Sequence, residues 1–493
     1  MIDRKTPHLL QIKGKMIVSI VHLIIIISLF GFSCINKSQP GSIAKTAVDS
    51  PIKPYRDNPR YWEYHGEPVL LLGGSKDDNL FQIDDLEAHL DEINEVGANY
   101  VRNTMSSRDA GNEWPFLKLE NGKYDLNQMN EQYWQKFENF LRMTHERGIF
   151  VQIEVWDRFD YSREPWQVNP FNPKNNINYN PGETPLDTIY PQHPAKDVQP
   201  FFHTISGMPK YTPGLDKIRK FQEKRVDKML QYTLQYDHIL YCMNNETSTP
   251  PQWGEYWINF INKKAEGNDK EVFATDMYGH FFKPSTCESC KMLISNPDTY
   301  RFLDCSQVNS RNFGQNHWDT LRWIVKKREQ YDIRPINMTK VYGGAQSSWG
   351  SGTNQDGVER FCRSIFGGAA SARHHRPEAG NGLNEKAKAS IRAIRNLESV
   401  IKSWEVSPAM DLLNGRDPNE AYVTASPGEK YAVYFPAGGA VKLNLSKVQV
   451  KMNLTWISVQ TGKIGNEESI IGGQWIELIT PDDTGWIAAI VNE

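Results

Sequence analysis

The sequence predicts an α/β fold, a (β/α)8 TIM barrel followed by a C-terminal all-β sandwich domain. From residue 68 to residue 404, short apolar runs of strand length alternate with amphipathic helical stretches. From residue 407 onward, only short alternating strands remain. Non-alternating apolar strands separated by helices indicate parallel β/α units, and eight such units predict a closed barrel. The alternative is a doubly wound open sheet, but no GxGxxG motif follows the first strand.

The barrel elements are predicted from periodicity and from helix-ending glycines. Gly97 and Gly148 follow two helical patterns at the position where glycine often ends a helix. The predicted helices include 84–96, 130–147, 214–235, 317–331 and 384–404. The predicted strands are 68–74, 98–104, 149–155, 238–246, 271–277, 301–307, 334–342 and 368–376.

Two regions depart from the alternation. Segment 157–213, rich in Asn, Pro, Tyr and Trp, follows the third strand, and an insertion of this size in a compact domain is usually functional. We expect it to overhang the C-terminal face of the barrel, where active sites lie. The barrel domain is predicted to cover 55–406, and 407–493 forms the β-sandwich domain, which we expect to buttress the barrel.

The N-terminal segment has the pattern of an export signal. Four basic residues precede the apolar run 16–30, which is too short to predict a membrane-spanning helix. Because Gly31-Phe32-Ser33-Cys34 resembles a bacterial lipobox, residues 1–33 are predicted as a lipoprotein signal peptide and Cys34 as the lipidated residue. Residues 34–54 then form a polar tether. We expect a lipoprotein exported to the periplasm, outer membrane or cell surface, which contacts the membrane only through its lipid anchor.

Composition narrows the function classes. The 493 residues include 56 Lys and Arg against 59 Asp and Glu, a net charge of −3 that provides no basic field for nucleic acid. The 14 Trp, 21 Tyr and 21 Phe fit either a large aromatic core or a sugar-binding cleft. Cys287 and Cys290 form a CxxC motif with no second motif to complete a zinc site, so a local disulfide is favoured. No metal site and no cofactor are predicted.

The fourth predicted strand ends in Met243-Asn244-Asn245-Glu246. A carboxylic acid here can protonate a leaving oxygen, and Asn245 can hold a sugar hydroxyl. With NPRYWEYHGEPVLLLG at 58–73 and YAVYFPAGGAVKLNLS at 431–446, the chain resembles clan-A-type glycoside hydrolases of the apiosidase-like kind, with a C-terminal collagen-binding-type β domain. The resemblance implies that Glu246 is the general acid/base of a hydrolase.

The sequence departs from that family at strand seven. A retaining enzyme of the clan needs a second Glu there, but 334–342 contains no carboxylate, and Thr339 or its neighbour takes the place. A neutral Thr cannot act as nucleophile without an activating base. Carboxylates that can substitute for it, or can instead bind sugar hydroxyls, are Asp77, Asp78, Glu154, Asp157 and Asp276.

Strand eight ends in a cluster of cationic and titratable residues, Ser371 to Glu378. Clustered Arg and His suit an anionic substrate, because Arg binds carboxylate or sulfate bidentately. Alternatively, half of the cluster faces the helices or neutralises nearby acids. The residues expected at the anion-binding cleft are Arg102, Asn103, Lys340, Arg373, His374, His375 and Arg376. The aromatic residues expected either to stack on sugars or to pack in the core are Trp156, Trp166, Trp253 and Trp349.

Three functions remain open. Hydrolysis of acidic or sulfated poly- or oligosaccharides is the family expectation. The second is elimination at a uronate, which needs no strand-seven nucleophile. A lyase or dehydratase of this kind forms a 4,5-unsaturated uronic acid at the non-reducing end. There Glu246 or a His is the acid, and His374, His375, Tyr342 or Lys340 is the base. The third is a non-catalytic glycan-binding lipoprotein, which Glu246→Gln would distinguish because there would be no turnover to lose.

Overall fold

The computed structural model describes residues 51–281 and 283–493, which belong to one compact unit. The predicted signal peptide, Cys34 and most of the tether lie outside the described residues. Among the helices that are described, none is long and apolar enough to cross a membrane.

Eight parallel strands form the centre of the molecule, and each lies within a run predicted from the sequence or extends it by two residues. The strands are β1 (Leu71–Gly74), β2 (Tyr100–Thr104), β3 (Phe150–Asp157), β4 (Ile239–Asn245), β5 (Ala274–Thr275), β6 (Leu303–Asp304), β7 (Ile336–Val341) and β8 (Ser371–His374). They are arranged in two four-stranded arcs, with strand order β2-β3-β4-β5 in one and β6-β7-β8-β1 in the other.

The two arcs meet at two seams. The Asn99 N–H donates to the Leu72 carbonyl at 2.9 Å, and the Arg301 N–H donates to the Ala274 carbonyl at 3.0 Å. The strands therefore follow barrel order, but the backbone ladder is interrupted where β1 adjoins β2 and where β5 adjoins β6. The second interruption has a simple cause, since β5 and β6 are only two residues long each.

A helix follows each strand, as the alternation predicts. Gly97 and Gly148 have φ of 79° and 64°, the left-handed conformation in which glycine ends a helix without steric cost. Asn130 and Asn384 cap the helices Glu131–Glu146 and Glu385–Val400 by accepting from the backbone N–H groups of Gln132 and Ala387. The helices are α1 (Leu86–Glu95), α2 (Glu131–Glu146), α3 (Arg163–Val168), α4 (Asp216–Thr233), α5 (Gln252–Glu266), α6 (Glu288–Ser295), α7 (Val308–Arg311), α8 (Gly314–Arg328), α9 (Asn354–Phe366) and α10 (Glu385–Val400).

The interior between the arcs contains a polar layer. The Thr339 hydroxyl and the Gln152 amide both donate to Asp304 Oδ2 at 2.6 Å, and all three residues are fully buried. Asn337 donates to the Tyr100 hydroxyl at 3.1 Å in the same layer. Thr339 thus lies below the open end of the barrel as a hydrogen-bond donor to Asp304.

The C-terminal region is antiparallel and β-rich. Its two sheets enclose an apolar cluster of their own, and the outer face of the larger sheet packs on the barrel helices, where the ring centroids of Trp318 and Tyr422 are 4.6 Å apart. Segment 464–471 (IGNEESII) is a largely exposed strand that hydrophobic alternation does not predict. The larger sheet has the order Ser407–Pro408, Tyr422–Ser426, Lys430–Phe435, Trp486–Asn492, Lys451–Ser458 and Ile464–Ile471, and the smaller has Leu413–Asn414, Ala440–Asn444 and Trp475–Ile479.

Smaller elements decorate the two ends of the barrel. A three-stranded antiparallel sheet (Lys53–Pro54, Trp62–Tyr64 and Glu67–Val69) precedes β1, and a hairpin (Phe116–Lys118 and Tyr124–Met129) follows β2. Cys287 and Cys290 form the disulfide that the sequence favours, which confirms that prediction.

Candidate functional site

A cleft of ≈ 750 Å³ opens at the C-terminal ends of the barrel strands. Segments that follow the strands form its wall, and the 157–213 insertion contributes to it, as expected. Seven Arg or Lys side chains line the cleft against three carboxylates, so the lining is strongly cationic. The charged residues are Arg102, Arg108, Arg158, Arg163, Arg311, Lys340, Arg376, Asp78, Glu246 and Glu378, and His193, His280, His375, Tyr342, Gln307 and Trp349 lie among them.

Glu246 lies at the centre of the hydrogen bonding in the cleft. Its Oε1 accepts from Lys340 Nζ at 2.8 Å, from the Tyr342 hydroxyl at 2.9 Å and from Gln307 Nε2 at 3.0 Å. Its Oε2 lies 3.9 Å from Arg158 Nη2. Three donors on one oxygen fix the carboxylate against the end of β7.

These contacts set the charge of Glu246. Burial alone would raise its pKa, but the charges of Lys340 and Arg158 and the hydrogen bonds from Lys340 and Tyr342 outweigh burial and hold the pKa well below its ordinary value. Glu246 is therefore ionised at neutral pH. In this state the carboxylate can accept a proton but has none to donate, and the role of Glu246 as general acid/base stays a prediction.

Lys340 occupies the end of β7, where the resemblance predicts a nucleophilic Glu. Its ammonium is 1% exposed and also donates to Asn245 Oδ1 at 2.6 Å. Asn245 in turn donates to Asp157 Oδ2 at 3.0 Å, and Asp157 is paired with Arg108. The result is a continuous chain of opposite charges and amides across the floor of the cleft.

A second buried ion cluster surrounds Arg102. Its guanidinium contacts Glu154 through two hydrogen bonds of 2.5 Å and Asp78 at 2.5 Å. Asp78 also lies 3.4 Å from Arg376 Nε and 3.7 Å from His375 Nδ1. Burial would raise the pKa of Asp78, but its positive neighbours, Arg102 first, hold it well below its ordinary value. Asp78 is thus a fixed negative charge that orders the cationic groups around it.

His375 and Tyr342 adjoin each other on the same side of the cleft. Their ring centroids are 4.8 Å apart. Burial, only partly offset by Asp78, lowers the pKa of His375 well below its ordinary value, so the imidazole is neutral. Burial and the charge of Glu246 raise the pKa of the Tyr342 hydroxyl, which therefore keeps its proton. The pair consists of a neutral imidazole beside a protonated phenol.

The insertion contributes the cationic side chains of Arg158 and Arg163 to the cleft lining. Arg158 and Arg163 each have a buried Nε with no hydrogen-bond partner in the structure. Their charges and, above all, burial lower the pKa of His193 nearby. Arg163 and Glu246 both adopt left-handed backbone conformations, with φ of 56° and 58°. Non-glycine residues in this conformation are strained, and such strain clusters at functional sites.

Nine of the residues predicted from the sequence line the cleft. They come from segments as far apart in the chain as Asp78 and Arg376, and the strand ends bring them together. They are Asp78, Arg102, Asn245, Glu246, Lys340, Tyr342, Trp349, His375 and Arg376. Six others do not line the cleft, namely Asn103, Trp156, Asp157, Asp276, Arg373 and His374, and neither do the carboxylate candidates Asp77 and Glu154.

The predicted role of His374 in the cleft is wrong because successive strand residues face opposite sides. His374 stacks on Phe361 of α9 at 4.5 Å, and its Nε2 lies 2.9 Å from Ser390 Oγ of α10. Asp276 does not line the cleft either. It is buried beneath the cleft and accepts from Asn244 Nδ2 at 2.8 Å, and burial raises its pKa to about 7.

The other four of these six residues, Asn103, Trp156, Asp157 and Arg373, are buried beneath the cleft. Asn103 accepts from the Phe81 N–H at 3.2 Å, and Arg373 donates to the Thr339 carbonyl at 3.1 Å inside the barrel. Asp157 is fully buried between Arg108 and Asn245. Trp156, Trp166 and Trp253 are fully buried, so these three pack in the core. Of the four candidate Trp residues, Trp349 is 54% exposed and can contact a ligand.

Several cleft residues are absent from the sequence-based prediction. Arg108 and Arg158 lie within four residues of the ends of β2 and β3. Because active sites of barrels lie at the C-terminal ends of strands, position alone could have predicted both residues. Gln307 follows β6 in the same way. His193 and Arg163 lie within the irregular insertion, where no periodicity indicates which side chains point inward.

Comparisons with known proteins agree with the fold. No family model and no curated protein matches the sequence. Among solved structures, the chain is similar to a glycoside hydrolase family 5 protein from Bacteroides vulgatus ATCC 8482, with a TM-score of 0.60 and 14% identity over 90% of this chain and 93% of that one. It is also similar to a structure described as a glycoside hydrolase, with a TM-score of 0.61 and 13% identity over 90% and 97%. A third similar structure, from the same organism and assigned only provisionally as a glycoside hydrolase, has a TM-score of 0.56 and 11% identity over 91% of this chain and 84% of that one. At these identities the likeness concerns the fold, which places the chain among proteins with the architecture of glycoside hydrolase barrels.

Proposed function

We propose that this protein is a carbohydrate-active enzyme that acts on a uronate-containing oligosaccharide by β-elimination. The proposal rests on one observation, the grouping of Lys340, Tyr342 and His375 around an ionised Glu246 in a cationic cleft. The fold likeness to glycoside hydrolases supports a saccharide substrate. Hydrolysis is the second candidate, favoured by that likeness alone.

The charge of the cleft supports an acidic substrate. Elimination at a uronate requires that the sugar carboxylate be neutralised, because this makes the proton on C5 acidic enough to remove. Arg158, Arg376 and Lys340 are cationic groups in the same cleft lining as Glu246 and His375. An Arg side chain can bind the carboxylate with two parallel hydrogen bonds.

His375 is the proposed base and Tyr342 the proposed acid. The neutral imidazole takes the C5 proton, the electrons of the C5–H bond form the C4=C5 double bond, and the C4–O bond breaks. The Tyr342 hydroxyl gives its proton to the departing oxygen, which leaves as water or as an alcohol. The cycle closes when His375 releases its proton to water and Tyr342 regains a proton from water. Lys340 and Glu246 are positioned to hold Tyr342 and to stabilise the developing charge.

Hydrolysis by two carboxylates is less well supported. Glu246 already accepts from Lys340, and Asp78 is paired with Arg102 and contacts Arg376, so neither is a free acid. The third cleft carboxylate, Glu378, is half exposed and is paired with Arg376 at 2.6 Å. A hydrolase needs one protonated and one free carboxylate on opposite sides of the bond.

Product analysis separates the candidates. We would incubate the protein with acidic oligosaccharides and follow product mass together with ultraviolet absorbance. Elimination predicts an unsaturated uronate that absorbs, with loss of one water if C4 carries a free hydroxyl or with chain cleavage if it carries a sugar. Cleavage with gain of one water and no absorbance would overturn the proposal in favour of hydrolysis. Binding without turnover would indicate a glycan-binding protein.

Replacing Arg158 with Gln should weaken substrate binding more than it slows chemistry. Loss of a charge-assisted contact to the uronate should raise KM about 10-fold to 100-fold, with a smaller change in kcat. Steady-state kinetics at two ionic strengths would measure this. The matched control is Arg56→Gln, an exposed Arg outside the cleft, which should leave KM unchanged. An unchanged KM in Arg158→Gln would contradict a role in anion binding.

We also propose that the protein is an exported lipoprotein. The support is the apolar run 16–30 followed by the lipobox-like segment that ends at Cys34. Metabolic labelling with a radioactive fatty acid should mark the chain, and Cys34→Ser should abolish the label.

A further inference from the structure

A cluster of three histidines and one aspartate lies at the end of the barrel opposite the cleft, where the strands begin. One ligand atom each of His145, Asp237 and His238 lies within 4.8 Å of the other two. His65 Nε2 lies 3.0 Å from Asp237 Oδ2, and His145 Nε2 lies 3.4 Å from Asp237 Oδ1. Imidazole nitrogens and one carboxylate therefore converge on a common space.

Three separate segments position these side chains. His65 lies in the tight turn between the strands Trp62–Tyr64 and Glu67–Val69, with its ring stacked on Tyr64 at 3.8 Å. His145 belongs to the last turn of α2. Asp237 and His238 immediately precede β4, and the Asp237 carbonyl accepts from the Ile52 N–H at 2.8 Å. The cluster thus connects elements that are distant in the chain.

His238 carries the strongest indication of a missing partner. It is 2% exposed, and its Nε2 lies 3.0 Å from Thr144 Oγ1. When the Thr144 hydroxyl donates to the Phe140 carbonyl at 2.9 Å, its Oγ1 accepts from His238, and Nε2 carries the ring proton. The lone pair is then on Nδ1, which is buried and has no hydrogen-bond partner in the structure. Buried polar atoms without partners are rare and costly. A His whose other ring nitrogen donates to an oxygen is the usual arrangement of a metal-ligating imidazole.

We propose that His145, Asp237 and His238, with His65 as the fourth ligand, form a Zn²⁺ site. A site with several imidazoles and one carboxylate suits Zn²⁺ better than Mg²⁺ or Ca²⁺, which prefer oxygen ligands. The ligand atoms must draw together to reach zinc–nitrogen distances of about 2.0–2.1 Å. The side chains of His65 and His145 are 43% and 44% exposed, so both have room to move inward.

Such a site would be structural. It lies at the opposite end of the barrel from the cleft, and it would join the N-terminal sheet, α2 and the entry to β4. Metal that binds only the folded chain raises its stability in proportion to the logarithm of the metal concentration. This inference is independent of the proposed elimination chemistry, and its test does not use activity.

Titration of the full chain with zinc chloride at pH 7.5, followed by calorimetry, tests the proposal. We expect one tight site per chain that involves the cluster, and an increase in Tm of about 3 °C at a hundredfold excess over Kd. Magnesium chloride at the same concentration should give no increase. His145→Ala should weaken zinc binding at least about tenfold and abolish the increase in Tm. The matched control, His193→Ala, removes an exposed His of the cleft and should retain both.

Two results would overturn the site. One is a wild-type chain whose Tm does not respond to zinc. The other is a His145→Ala protein that binds zinc as tightly as the wild type, since the ion would then be held elsewhere. His65→Ala provides a second test because His65 is exposed in a turn, and it should weaken zinc binding without preventing folding.

Discussion

Replacing Tyr342 with Phe should lower kcat about 10²-fold to 10⁴-fold, the usual contribution of a general acid. The change removes only the hydroxyl, which donates to Glu246 at 2.9 Å and accepts from Gln307 at 3.0 Å. The ring and its contact with His375 remain, so KM should change little. Steady-state kinetics on the acidic oligosaccharide that the wild type converts would measure the effect.

The matched control is Tyr331→Phe, which removes a hydroxyl from an exposed ring outside the cleft and should leave kcat unchanged. The Tyr342→Phe variant should also keep the wild-type Tm to within about a degree, because Gln307 and Lys340 still donate to Glu246. A Tyr342→Phe enzyme with kcat within a factor of three of the wild type would exclude Tyr342 as the acid. The proton would then have to come from Lys340.

The parts of the fold that depend on local periodicity could be predicted from the sequence. All eight strand segments and the helices that end at Gly97 and Gly148 are present, because apolar spacing and helix-ending glycines act over a few residues. The exposed strand Ile464–Ile471 could not be predicted this way. It is a largely exposed edge strand that pairs with Lys451–Ser458, and its Ile residues do not alternate with polar ones.

The candidate site could be predicted only in part, for a geometric reason. Strand-end logic brings together Glu246, Lys340 and His375, but it does not decide which of two successive residues faces the cleft. His374 and His375 show this, since one packs on α9 and the other lines the cleft. The ionisation of Glu246 could not be predicted either. It depends on Lys340, which is 94 residues away in the chain and 2.8 Å away in space.

Replacing Arg102 with Leu should lower the free energy of unfolding by about 3–5 kcal/mol at pH 7.5, the usual effect of breaking a buried ion pair. Arg102 and Glu154 are fully buried, and Asp78 nearly so. Without the guanidinium, Asp78 retains Arg373 at 3.6 Å and Arg376 at 3.4 Å, but Glu154 loses both of its charge-assisted hydrogen bonds. Urea denaturation followed by tryptophan fluorescence would measure the change.

The pH dependence of the stability deficit in Arg102→Leu tests whether an unpaired Glu154 causes it. Burial, only partly offset by Arg102, already raises the pKa of Glu154, and loss of Arg102 should raise it further above its value in the unfolded chain. The folded state of the variant then binds a proton more tightly than the unfolded state, so its deficit is full above the folded pKa and shrinks as the pH falls through it. We therefore expect a smaller difference from the wild type at pH 5.5 than at pH 7.5. Arg142→Leu, which breaks an exposed pair with Glu146, should cost no more than about 0.5 kcal/mol at either pH. A deficit in Arg102→Leu that does not change with pH would mean that lost packing, rather than an unpaired Glu154, destabilises the variant.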